Sequence, residues 1–119
     1  MRFLALIRIS EHGGPDIDER LMREVGALID EMNDAKVLVD TAGLRPTREG
    51  RRLRLSKGRV TATDGPFTET KEVIGGYFML DTATQEEATD WMRRFLEKHG
   101  DAWELEVELR QTEMPVAQA

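Results

Sequence analysis

Between Phe3 and Ile9 the chain is apolar at both parities, with Phe3, Ala5, Ile7 and Ile9 on one and Leu4 and Leu6 on the other. That pattern predicts a strand buried on both faces, interrupted only by Arg8. A loop, EHGGPD, follows, and Asp16 with Glu19 predicts a capping box at the start of a helix. Ile17, Leu21, Val25, Leu28, Ile29 and Met32 then recur at helical spacing, while Arg20, Arg23, Glu24 and Glu31 fall off that stripe. Asn33-Asp34 is expected to end the helix, and KVLVD, Lys36 to Asp40, to form a second strand.

From Arg51 the period changes to two. Arg52, Arg54 and Ser56 oppose Leu53 and Leu55, Lys57-Gly58 turns, and Arg59 to Thr63 returns, which predicts a hairpin with one wet face. Val73 to Leu80, VIGGYFML, reads as a further strand carrying a glycine pair. Thr84 and Glu87 repeat the capping signature ahead of Ala88, Trp91, Met92, Phe95 and Leu96, an amphipathic helix stopped by Gly100. Trp103, Leu105, Val107 and Leu109 then alternate with Glu104, Glu106, Glu108 and Arg110 as a final strand. Residues 1–112 are expected to form one domain and 113–119 a frayed tail.

The order β-α-β, hairpin, β-α-β predicts an α+β fold with a ferredoxin-like sheet and both helices on one face. Two helices cover only that face, yet Phe3–Ile9 and Val73–Leu80 are apolar on both. An uncovered apolar face marks an interaction surface. A homodimer packed sheet against sheet accounts for it, and so does a cover made by the hairpin or the tail.

Composition narrows the function classes. The 119 residues carry a net charge of −6, which disfavours nucleic acid and an anionic membrane surface as partners. The absence of cysteine excludes disulfides, zinc–thiolate sites and thiol nucleophiles. The first ten residues are too short an apolar run for a signal core or a membrane span, so a cytoplasmic protein is expected.

The chemistry-bearing stretch is DGPFTETKE, Asp64 to Glu72. An Asp opening a turn commonly accepts from the N–H two residues on. Here that residue is Pro66, which has none. The Asp64 carboxylate is therefore left for the Phe67 or Thr68 N–H, a nearby base, or a ligand, and Phe67 is expected to pack inward. Either Asp64 caps TETKE as a solvated segment, or it is the polar anchor or acid/base group of a site with Thr68, Glu69 and Lys71 at its rim. Glu69 and Glu72 could share a face, but without histidine support a metal reading is weak, and no cofactor is expected. Gly75-Gly76 inside a strand signals a bulge, a bend or close backbone approach. Tyr77 adds a phenol. Arg8 and Asp40 interrupt buried strands, as salt-bridged residues or as the polar wall of a pocket. His12 lies in a glycine-rich loop and His99 at a helix end, where a cation suits the helix dipole.

The DGPFTETKE run with VIGGYFML after it, and KVLVDTAGLRPT before it with Gly43, Leu44 and Pro46, closely resembles the DGPF-domain group of the YCII-related proteins. The resemblance spans roughly Met1 to Arg110. It implies a ferredoxin-like fold that dimerises as an α/β barrel, similar to muconolactone isomerases. YCII-like members are treated as enzymes because a histidine and an aspartate face a pocket. That histidine would fall on the first helix, where Ile17 to Met32 holds none, and the departure counts against histidine-assisted catalysis. The aspartate corresponds by motif position to Asp64. DGPF-type proteins are also often encoded beside extracytoplasmic-function sigma factors. Two functions follow: a small-molecule binding protein or enzyme with a pocket near the DGPF loop, or a non-catalytic regulatory module whose partner is a sigma factor.

Overall fold

A computed structural model describes residues 1–11, 14–67 and 72–113. Among the described residues six strands and two helices follow one another as β1 (Arg2–Ile9), α1 (Glu19–Asp34), β2 (Leu38–Gly43), β3 (Arg51–Ser56), β4 (Arg59–Asp64), β5 (Val73–Asp81), α2 (Gln85–Glu97) and β6 (Glu106–Gln111), with a 3-10 turn at Thr47–Glu49. Four strands form an antiparallel sheet in the order β2-β5-β1-β6, while β3 and β4 form a separate two-stranded sheet. Removing that hairpin leaves the split β-α-β arrangement of a ferredoxin-like α+β fold, as the pattern predicts.

Both helices lie on one side of the sheet because the core is built from alternate strand residues and one stripe of each helix. Phe3 and Ala5 on β1 and Phe78 and Leu80 on β5 meet Leu28 and Met32 of α1 and Ala88, Met92 and Phe95 of α2. Phe78 and Phe95 meet edge to face with centroids 5.0 Å apart, a favourable aromatic geometry. The intervening residues, Leu4, Leu6 and Arg8 on β1 and Tyr77 and Met79 on β5, are partly accessible and face away from the helices.

Element ends depart from the expectation in four places. Asp18, not Asp16, caps α1, its carboxylate accepting from the Leu21 N–H at 2.8 Å, so Ile17 lies before the helix and is exposed. The second strand runs two residues later than KVLVD, after Lys36 takes a positive φ of 60°. The last strand begins at Glu106, and Trp103 instead packs against His99. The hairpin has no buried face at all, since every residue of β3 and β4 is exposed. By contrast the second cap forms as read: Thr84 Oγ1 accepts from the Glu87 N–H, and the Glu87 carboxylate accepts from the Ala83 N–H. The expected tail lies, from residue 114 on, outside the described residues.

The glycine pair in β5 makes a bulge. Ile7 faces Gly76 and Arg8 faces Ile74, so Gly75 is the extra residue. Ile9 lies against it so closely that a Cβ at Gly75 would stand 2.5 Å from Ile9 Cδ1.

Candidate functional site

The sheet face turned from the helices carries Arg8, Asp40 and Tyr77, three of the six predicted site residues that the structure describes. Across it, Ala42, Tyr77, Leu6 and Glu108 form one row, and Asp40, Met79, Leu4 and Arg110 the next. Tyr77 and Asp40 are therefore diagonal neighbours, within reach of long side chains. The Tyr77 hydroxyl donates to Asp40 Oδ2 at 2.7 Å, while Asp40 Oδ1 accepts from the Thr41 N–H at 2.9 Å. That hydrogen bond first, then desolvation and the carboxylate's charge, holds the phenol above its ordinary pKa. Tyr77 is thus held as a donor to Asp40, and its phenol oxygen and the Asp40 carboxylate each retain acceptor capacity for a further partner.

Arg8 lies on the same face, its Nε 4.0 Å from Glu72 Oε2 and its NH1 3.6 Å from Glu108 Oε1. The ion-pair account offered for Arg8 holds. For Asp40 it does not: the charge is met by a phenol rather than by a base. Gly76 meets β2 closely, since a Cβ there would lie 2.9 Å from the Ala42 carbonyl oxygen. The Gly75 carbonyl accepts from the Leu44 N–H at 2.9 Å, tying the bulge to the end of β2.

Asp64 sits elsewhere, at the root of the hairpin. Counting outward from Lys57-Gly58 pairs Arg51 with Asp64, and Arg51 Nε donates to Asp64 Oδ1 at 2.7 Å. Of the partners considered for this carboxylate, the nearby base is the one it has. Both side chains are largely solvent-exposed, at 64% and 73%, so this pair contributes little to stability. The turn after it is seated by other contacts. The Gly65 N–H donates to the Gly50 carbonyl at 3.0 Å, and the Gly65–Pro66 peptide is cis. Phe67 is half-buried beneath the Arg52 guanidinium, 3.9 Å from the ring centroid, rather than in the core. Glu11, from the segment after β1, accepts from the Thr47 N–H at 2.8 Å and from its hydroxyl, locking the 3-10 turn on which Gly65 rests. Thr68, Glu69, Lys71 and His12 lie outside the described residues.

His99 plays no charged role at the end of α2. Burial pushes its pKa down despite backbone hydrogen bonds, its Nδ1 lies 2.9 Å from the Phe95 carbonyl, and its ring stands between Phe95 and Trp103. Two depressions lie on the helix side. An open one of about 510 Å³ is lined by Arg20, Glu24, Arg94, Glu97, Lys98 and Gly100. A smaller one lies beside His99 and Trp103. Neither includes Asp64 or the open sheet face. Among the described residues no group of three or more His, Asp or Glu could hold a metal, and no helix is long and apolar enough to cross a membrane.

Glu11, Arg51 and Glu108 are participants that sequence reasoning did not single out, while Glu72, considered there as a carboxylate partner of Glu69, pairs with Arg8. Arg51 was accessible by counting from the two-residue turn. Glu11 was not, because a loop-to-loop contact across 36 positions leaves no local pattern.

Residues 1–101 match the model of the YCII-related domain. The chain belongs to the YCII-related family. It is also 41% identical over 76 residues to a protein of Rhizobium meliloti (strain 1021) that bears the name Uncharacterized protein R00369. That alignment covers 64% of this chain and 61% of the relative, so it spans about three-fifths of the relative's length. In this YCII-related chain the turn containing Asp64 and the parts of the open sheet face on β1, β2 and β5 lie within the matched region, and β6 lies beyond it.

Proposed function

We propose that this YCII-related chain, of the DGPF subgroup by its Asp64–Phe67 motif, is a homodimeric small-molecule binding protein. Its site is the open sheet face, completed when two copies bring those faces together. The observation that carries this is the Tyr77–Asp40 hydrogen bond of 2.7 Å, set among Leu4, Leu6 and Met79 on a face no helix covers. Apolar walls with a few convergent polar groups are the usual makeup of a small-molecule site. Asp40, Glu72, Glu106 and Glu108 outnumber Arg8 and Arg110 there, which favours a neutral or cationic ligand with hydroxyl or amine donors for the Asp40 carboxylate. Tyr77, whose single O–H is given to Asp40, accepts through its phenol oxygen from a ligand donor. Asp64, at the end of β4 and outside the open sheet face, is kept as a polar anchor at the margin of this site, on the segment leading to Glu72, and an acid/base role falls more naturally to Tyr77.

Amide shift mapping of the isotope-labelled protein with a set of polyols, amines and carboxylates tests the reading. Polyols or amines are expected to shift Leu6, Ala42 and Tyr77, and Asp40→Ala to abolish the effect. Shifts confined to the Arg20–Lys98 depression, or binding unchanged by Asp40→Ala, would overturn the site. Binding that survives Asp64→Ala unaltered removes Asp64 from it.

A further inference from the structure

Just past the end of α2, the fold fixes one imidazole nitrogen and leaves the other without a partner. The Phe95 carbonyl, a helix-end acceptor that takes a 3.3 Å bond from the Lys98 N–H, also lies 2.9 Å from His99 Nδ1. A carbonyl only accepts, so Nδ1 carries the proton and Nε2 of the neutral ring is an acceptor. Nε2 has no hydrogen-bond partner among the described residues, where no fully buried side-chain nitrogen lacks one, so it opens to solvent. Edge-to-face contacts brace the ring on two sides, with centroids 4.8 Å from Phe95 and 5.3 Å from Trp103. Phe95 belongs to the core, so the imidazole is seated on the rigid part of the molecule. Gly100, at a φ of 84°, then turns the chain so that Trp103 comes back over the ring. The result is a cavity of about 150 Å³ lined by Leu96, His99, Gly100, Trp103 and Leu105.

From this braced acceptor in an aromatic-walled cavity we infer a second binding site, for a small neutral aromatic molecule bearing a hydroxyl, of the phenol class. Its ring packs against Trp103, Leu96 and Leu105, and its O–H donates to His99 Nε2. The size fits, since an apolar cavity of about 150 Å³ takes up benzene. The chemistry selects as well. A carboxylate, an ether or a ketone brings no proton for Nε2, and an ammonium loses its hydration against leucine and tryptophan. An aliphatic alcohol donates but lacks a ring to set against the indole. The site stands apart from the reading of the sheet face. Leu96, His99 and Gly100 lie within the matched residues 1–101, whereas Trp103 and Leu105 lie beyond them, so two of its walls are outside the matched domain.

Such a site responds to pH in a fixed direction. Burial first, and the charge of Arg20 from α1 besides, hold the His99 pKa below 6.5 against the backbone bonds that raise it. Arg20 itself is tied to the Lys98 carbonyl at 3.3 Å and to Glu24. Glu97 and Lys98 flank His99 on α2, and Asp101 and Glu104 lie on the segment leading to β6. A proton on Nε2 meets the ligand's O–H donor to donor. Binding is therefore full above 6.5 and is lost as pH falls through the lowered value.

Fluorine NMR of para-fluorophenol with the full wild-type chain tests this, with para-fluoroanisole, the same ring with its hydroxyl methylated, as the control. The phenol is expected to bind at least ~5-fold more tightly than the anisole, because only it satisfies Nε2. In the isotope-labelled chain it should shift the Gly100 amide, the Trp103 indole and the His99 Nε2 resonance. Its affinity should fall between pH 7 and pH 5. His99→Phe keeps a ring between Phe95 and Trp103 and should lower the phenol's affinity to that of the anisole. Equal affinity of the two probes for the wild type overturns the inference without recourse to a variant. So do phenol shifts that leave Gly100 and Trp103 unmoved, and affinity constant from pH 7 to pH 5. Shifts confined to Leu6, Ala42 and Tyr77 assign the phenol to the sheet face and overturn it likewise.

Discussion

The seating of the DGPF turn can be broken by one methyl group. A Cβ placed on Gly65 would stand 1.7 Å from the Thr47 carbonyl oxygen, 2.6 Å from its carbonyl carbon and 3.3 Å from the Arg48 nitrogen. Non-bonded heavy atoms rest about 3.5 Å apart, so in Gly65→Ala the turn must retreat by well over an ångström. Thr47 cannot yield instead, because the contacting atoms are backbone and Glu11 holds the residue at both its N–H and its hydroxyl. Retreat stretches the 3.0 Å bond from the Gly65 N–H to the Gly50 carbonyl beyond hydrogen-bonding range. Overpacking costs about 1–3 kcal/mol, and the lost hydrogen bond about 1 kcal/mol more. The sum is on the order of 2–4 kcal/mol, a fall in Tm of roughly 8–16 °C for a chain of this size. Thermal unfolding followed by circular dichroism and by Trp91 and Trp103 fluorescence measures it, with amide exchange at Gly65 as the local readout. Gly43→Ala, where nothing lies within 4 Å of the new Cβ, is the control and should stay within about 0.5 kcal/mol of wild type. A Gly65→Ala protein with unchanged Tm and unchanged Gly65 protection would refute the seating of the turn on Thr47.

Tyr77 is the chain's single tyrosine, so ultraviolet absorbance titrates it alone. Its phenol should ionise above the ordinary value of 10.0 and return toward it in Asp40→Asn. The stability it contributes is complete below the unfolded pKa and is lost as pH rises through the folded one, so alkaline unfolding should shift in Asp40→Asn. For His99 the sign is opposite, because its folded pKa is lowered from 6.5. Stability is full above that value and declines as pH falls through it, and His99→Gln should flatten the slope of Tm between pH 7 and pH 5. Leu80, fully buried between the sheet and the helices, should cost about 2–5 kcal/mol as Leu80→Ala, read as a lower denaturant midpoint at unchanged slope.

The fold was legible because its determinants are periodic. Phe3–Ile9, the Leu21–Met32 stripe and the Thr84 cap each announce an element with residues that the core then uses. The start of α1 was misjudged because Asp16 and Asp18 stand equally well before a helical pattern, and only the geometry of the Leu21 N–H separates them. The hairpin's wet and dry faces were misjudged for a different reason. Alternation in Leu53 and Leu55 predicts one covered side, but not that both sides stay exposed among the described residues. The site was legible in its parts. Gly75 declares its bulge, and Arg8, Asp40 and Tyr77 declare polar interruptions of apolar strands. Which of them meet depends on register, since a shift of β2 against β5 by two residues would separate Tyr77 from Asp40. Asp64 was rightly marked as deprived of its usual turn partner. Its actual partner is simply the residue opposite it in the ladder.

The bond between Gly65 and Gly50 closes a neck below the fourteen residues of the hairpin, Arg51 to Asp64. Sheet and helices find their register without anything above that neck, so those residues are a cassette. Its length and face can change through descent or by design while the scaffold folds as before. A family built on such a scaffold can therefore revise the surface it presents at a single address in the chain.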